Sequence, residues 1–144
     1  MSIWREPQPT LEALNARDKG SMGDFLGIEL VARGDDTLTA RMPVNSRTIQ
    51  PHGRLQRGAS VALAETAGSI AANLTLNSAV SAGVGLEINA NHLRPVKEGY
   101  VYGTAKAQAL GRTTQVWTIR ITDEADRLVC LSRFTVAVIP TARA

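Results

Sequence analysis

Aromatic side chains make up only 4% of this 144-residue sequence, two each of Phe, Tyr and Trp. A platform of interleaved rings for stacking single-stranded bases is therefore not expected, and the core has to come from Ala, Val, Leu and Ile. Cysteine is nearly absent: Cys130 stands alone, so no internal disulfide can form, which fits a reducing compartment. Net charge is small, since 16 Lys and Arg against 13 Asp and Glu leave +3. The basic residues are scattered, which describes an ordinary solvated surface and neither demands nor excludes a few arginines meeting a ligand's phosphates. Met1-Ser2-Ile3-Trp4-Arg5 has no apolar core and no small-residue cleavage site, so no export signal is read and a cytoplasmic protein is expected. Two histidines and one cysteine, far apart, offer no zinc or iron spacing. Gly58-Ala59-Ser60-Val61-Ala62 lacks the second glycine of a nucleophile elbow. Gly83-Val84-Gly85 continues into Leu86-Glu87-Ile88 and misses the last glycine of a dinucleotide site, reading instead as a strand bulge or a close backbone approach. His52 and His92 read as a loop-surface residue and a strand hydrogen-bonder.

What is present is the balance of a folded globular chain, 44% hydrophobic and 20% charged, of a length that suits one domain over 1–144. No repeat, low-complexity tract or linker interrupts it. Thr10 can cap a short helix over Leu11–Arg17. Two alternating segments follow, Phe25–Arg33 and Thr37–Val44, joined by the turn Gly34-Asp35-Asp36; in the second, Leu38, Ala40 and Met42 share one face. Asn45–Gln56 has no period and reads as a loop long enough to carry function. Gly58 to about Leu76 is small and apolar nearly all round, which predicts a helix buried on most faces. Its Glu65, Asn73, Ser60 and Ser69, and its weak Ala/Gly hydrophobicity, rule out a membrane span. Ala82–Leu93, Tyr100–Leu110, Thr113–Thr122 and Arg127–Ile139 read as four strands of an antiparallel meander, with turns at Gly111 and at Asp123-Glu124-Ala125-Asp126, and Thr141–Ala144 as a loose tail. The fold class expected is α+β, a strongly curved antiparallel sheet wrapped around one long apolar helix.

Glu65 is the residue that does not belong. It is the only charge between Arg57 and Glu87 and falls about two turns into a helix expected to be buried, where an uncompensated carboxylate costs several kcal/mol. Ser69 lies one turn further on the same face, so the two could hold a water between them. One reading is a carboxylate paired to an arginine from elsewhere, or turned outward at a helix kink; the other is a catalytic carboxylate facing a cleft.

The motifs TLEALNA, GDDTLTARMPV, SRTIQP, GASVALAET, GLEINANHLRP and LGRTTQVW, in fixed order from Ile3 to Ile139, resemble the hotdog-fold acyl-CoA thioesterases, in the branch that depends on a glutamate. The resemblance implies a thioester hydrolase acting on an aryl- or medium acyl-CoA, or on an acyl-carrier protein, with no separate cofactor, because coenzyme A is part of the substrate. It also implies a homodimer with active sites at the interface, usually paired into a dimer of dimers. Glu65 matches the family's catalytic carboxylate, as nucleophile or as general base on water. Ser69 matches the polar residue one turn later, and Gln50 the glutamine bordering the thioester. Backbone N–H groups of Arg57 and Gly58 would point at the thioester carbonyl from the helix start, where the dipole favours an oxyanion. Gly85, His92, Arg94 and the loop Arg112-Thr113-Thr114 match positions that contact coenzyme A, which suits arginine forks and hydroxyls.

One departure stands out. Relatives carry His-Gly-Gly where this chain reads Gln56-Arg57-Gly58, and a Phe where it has His52. Gln56 still offers a hydrogen bond, whereas a cation at Arg57 opposes the helix dipole, and a left-handed backbone inherited from glycine would cost roughly 1–2 kcal/mol there. A weakened or retuned site is expected, and with it an alternative: an acyl-CoA-binding protein of the same fold with little turnover. A hydratase on this fold is disfavoured, since the His and Asp pattern of those enzymes is missing.

Overall fold

The computed structural model describes residues 1–143. Thr10 Oγ1 accepts from Ala13 N at 3.1 Å and caps α1, Leu11–Arg17, which turns Leu14 into the core. The first strand is shorter than its sequence predicts. Ser21 caps a one-turn helix, α2 (Met22–Phe25), by accepting from Asp24 N, and Asp24 in turn accepts from Gly20 N and Lys19 Nζ. Gly27 then reverses the chain at φ 79°, leaving β1 as Glu29–Arg33. Local capping outweighs the apolar look of Phe25-Leu26. In β2 (Thr37–Pro43), Leu38, Ala40 and Met42 are fully buried on one face, as alternation predicts.

The remaining elements are α3 (Arg57–Leu74), β3 (Ser81–His92), β4 (Tyr100–Leu110), β5 (Thr114–Thr122), β6 (Leu128–Pro140) and a 3-10 turn, Thr141–Arg143. All pairings in the six-stranded sheet are antiparallel, in the order β1-β2-β4-β5-β6-β3. The expected four-strand meander is therefore corrected. Only β4, β5 and β6 form one, while β3 crosses to the far edge and pairs with β6, and β4 pairs with β2. Alternation tells a strand which side to bury, not which neighbour to take. The Thr141–Ala144 tail is also corrected in part: Thr141 N donates to Val80 O and its hydroxyl to Ser78 O at 3.0 Å, while Ala144 lies outside the described residues.

The sheet curves around α3, which packs on β2 through β6. The helix buries one broad stripe, Ala59, Ser60, Leu63, Ala64, Ala67, Gly68, Ala71 and Ala72, rather than most of its faces; Glu65 and Asn73 are exposed. Small residues let helix and sheet approach closely: a Cβ on Gly68 would come within 2.7 Å of Phe134 Cδ2, and one on Gly103 within 3.1 Å of Leu63 Cγ. Polar groups in the core are paired in series, with Trp117 Nε1 donating to Gln115 Oε1 and Gln115 Nε2 to Thr75 Oγ1, both at 2.9 Å. The N-terminal strap closes one end. Trp4 stacks on Trp117 with ring centroids 6.3 Å apart and donates from Nε1 to Gly34 O.

Candidate active site

Glu65 is carried in the third turn of α3 but not in the buried setting expected for it. In the single chain its side chain is exposed, and among the described residues it has neither an ion-pair partner nor a hydrogen bond. The pairing to an arginine is not realised; the carboxylate turns outward. Beneath it lies Gly85 on β3, where a Cβ would come within 2.9 Å of Glu65 Oε2 and 3.0 Å of the Phe134 ring. The sheet bulges there, since Gly85 pairs with Val136 and Glu87 with Thr135, leaving Leu86 as the extra residue. The glycine motif is thus both of the things its sequence suggested, a bulge and a close approach. Ser69 shares a shallow hollow with Glu65, walled by Met22 and Gly23 of α2 and by Ile70.

A second hollow lies at the start of α3 and holds Gln50, Gln56, Arg57, His92 and Arg94 together. The 45–56 segment that shapes it is held firmly: Thr48, buried, donates to Pro43 O at 2.8 Å, Gln56 N to Thr48 O at 2.8 Å, and Leu55 N to Val96 O at 2.8 Å. The Gln50 carboxamide oxygen accepts from His52 N, and its amide nitrogen has no partner among the described residues. Gln56 is the N-cap, φ −65° and ψ 131°, without a side-chain cap bond. Ala59 N and Ser60 N close back on Gln56 O, while the amides of Arg57 and Gly58 have no acceptor among the described residues. Those two N–H groups are the open donors a helix start offers to an anion.

Arg57 does not have the strained backbone feared for it. Among the described residues the only non-glycine at positive φ is Asp126, so Arg57 begins the helix in an ordinary right-handed conformation. Its charge is felt next door: burial, and secondly the Arg57 guanidinium, hold His92 below the usual imidazole value.

Within one chain these groups do not form a single site. Glu65, Ser69 and Gly85 lie around one hollow and the Gln50 group around another. Arg112 and Thr113 form the β4–β5 turn and Thr114 opens β5; Gly111 N donates to Thr114 O at 2.9 Å to close the turn, and Val138 N of β6 donates to Thr113 O at 2.9 Å. Thr114 pairs with Ala137 whereas His92 pairs with Cys130, so the two proposed coenzyme A groups are separated along β6 by roughly 23 Å at about 3.3 Å per residue. Sequence reasoning missed the α2 wall, for which the Ser21-x-x-Asp24 cap was the available signal, and missed Arg54 and Ser60, which also line the second hollow.

Among the described residues no group of three or more His, Cys, Asp or Glu is placed to hold a metal, and no helix is long and apolar enough to cross a membrane.

Comparison with known proteins agrees with this architecture. A family profile, the Thioesterase superfamily, matches residues 52–130. The chain is 53% identical to a 1,4-dihydroxy-2-naphthoyl-CoA hydrolase of Escherichia coli (strain K12), over 95% of this chain and 99% of that one. It is 49% identical to the proofreading thioesterase EntH of Cronobacter turicensis, over 95% and 98%. The crystal structure of a mutant of thioesterase PA1618 from Pseudomonas aeruginosa superposes with a TM-score of 0.94 at 50% identity, over 96% of this chain and 99% of that one. The chain belongs to the thioesterase superfamily and is a thioester hydrolase built on the hotdog fold.

Proposed function

We propose that the protein hydrolyses the thioester of an aryl- or medium-chain acyl-CoA, or the same acyl group on a carrier protein, at a site completed by two protomers. The observation that carries this is Glu65: a carboxylate without a counter-ion among the described residues, set over a glycine bulge and beside a hydroxyl, yet in a different hollow from the open amides of its own chain. A second copy supplies what one chain lacks. β3 is a free sheet edge carrying exposed Val84 and Leu86, and an unpaired edge with apolar side chains is a surface that proteins cover. Two protomers paired there would bring the Glu65 of one towards the α3 start of the other, and two such dimers form the expected tetramer.

In that site the Arg57 and Gly58 amides hold the thioester carbonyl, and Gln50 and Gln56 border it. Glu65 either takes a proton from a water that attacks the carbonyl carbon, or attacks it directly to give an anhydride that water then opens. The C–S bond breaks, coenzyme A leaves as thiolate and is protonated, and the acid is released. The test is thiol release from benzoyl-, 4-hydroxybenzoyl- and medium-chain acyl-CoA. Turnover by the wild type that falls by at least about a hundredfold in Glu65→Ala is the expected result; equal rates in both proteins would overturn it. The second reading, binding without efficient turnover, draws on Gln56-Arg57 in place of His-Gly, and tight acyl-CoA binding with no thiol release would favour it.

A further inference from the structure

The hollow at the start of α3 carries more positive charge than a thioester carbonyl requires. Three guanidinium groups, those of Arg54, Arg57 and Arg94, line it and no carboxylate does. None of the three guanidinium groups is in an ion pair among the described residues. Cations gathered without counter-ions repel one another, and the arrangement is stabilised when an anion enters. An independent observation lies at the back of the hollow. Ser60 is 2% exposed and lines it. Among the described residues no fully enclosed side-chain polar atom lacks a hydrogen-bond partner, so the Ser60 hydroxyl, which has none within the chain, keeps its sliver of exposure towards the hollow. A nearly buried hydroxyl in that position is a donor awaiting an acceptor.

Two kinds of anion can enter with an acyl-CoA, the phosphates of coenzyme A and, where the acyl group bears one, a carboxylate; His92 and Arg94 are the groups matched to coenzyme A, and for Arg54 and Arg57 reach separates the two. With the Arg57 and Gly58 amides on the thioester carbonyl, the carrier's nearest phosphate sits at the far end of the pantetheine arm, beyond the span of one arginine side chain. A carboxylate a few bonds along the acyl group falls within that span. Neither an alkyl nor an unsubstituted aryl acyl group offers these cations a partner, and each would partly desolvate them.

We propose that Arg54 and Arg57, with the Ser60 hydroxyl, select acyl groups that carry their own carboxylate. The proposal rests on the thioesterase reading above and narrows its substrate class. Arg57 is a specificity-determining residue here.

The test compares glutaryl-CoA with pentanoyl-CoA, two acyl chains of equal length that differ in a terminal carboxylate. The wild type is expected to favour glutaryl-CoA in kcat/KM by about tenfold or more, the scale of one charge-assisted contact. Arg57→Gln and Arg54→Gln should each lower that ratio several-fold, chiefly through KM, with Arg57→Lys retaining part of it. No preference in the wild type, or a ratio the variants leave unchanged, overturns the proposal. So does an equal loss on both substrates, which would assign the arginines to the carrier's phosphates. Calorimetry with the non-hydrolysable thioethers S-(4-carboxybutyl)-CoA and S-pentyl-CoA reads the same ratio without turnover. A carboxylate preference in binding with no hydrolysis of any thioester would sink the hydrolase and keep this inference; hydrolysis without the preference would do the reverse.

Discussion

Gly85 controls Glu65 by having no side chain. A methyl group there would meet both Glu65 Oε2 and the Phe134 ring at about 3 Å, and the carboxylate is the more mobile of the two. Gly85→Ala is therefore expected to push Glu65 off its position and lower kcat by about tenfold or more, since small misplacements of a reacting group are costly, while thermal unfolding moves little. A large loss of stability with unchanged kcat in the surviving protein would show that the glycine serves packing alone. Glu65 was legible in the sequence because a single charge in a long apolar stretch is conspicuous in any window. Its exposure was not, because the pattern shows that a helix is apolar and not how much of it its own chain covers. Arg57 teaches the converse: the substitution looked like backbone strain, and the structure gives it an ordinary helical start.

Helix α3 is specified by small residues as much as by apolar ones. Gly68 sits where a Cβ would press to 2.7 Å from Phe134 Cδ2 and 3.4 Å from Ile119 Cδ1, so Gly68→Ala, favourable to an isolated helix, should destabilise the protein by about 1–3 kcal/mol through overpacking. The denaturation midpoint measures it, and a gain in stability would mean that the sheet moves aside freely. The far end of the helix is tied to β3 by Asn73, whose Nδ2 donates to Gly83 O at 3.1 Å and whose Oδ1 accepts from Gly83 N at 2.9 Å. That tie explains why the edge strand follows the helix. β4 to β6 could be read from alternation and turn residues alone, because consecutive hairpins obey local rules. The place of β3 at the opposite edge could not, since it depends on a pairing with β6 that no local window contains.

For the whole molecule, assembly turns on one strand. Leu86, the bulged residue, is 64% exposed on the free edge, and Leu86→Lys is expected to shift the protein towards monomer in sedimentation and to reduce turnover with it, since a charge on an edge discourages pairing. Turnover retained by a proven monomer would place the complete site within one chain. The N-terminal strap offers a way to watch such changes. Both tryptophans of the chain belong to one stacked pair, Trp4 on the strap and Trp117 in the sheet, so the molecule carries its own optical gauge. Coupled indoles give a paired circular-dichroism signal that vanishes when the partners separate, and lifting the strap would change that signal without any label being attached.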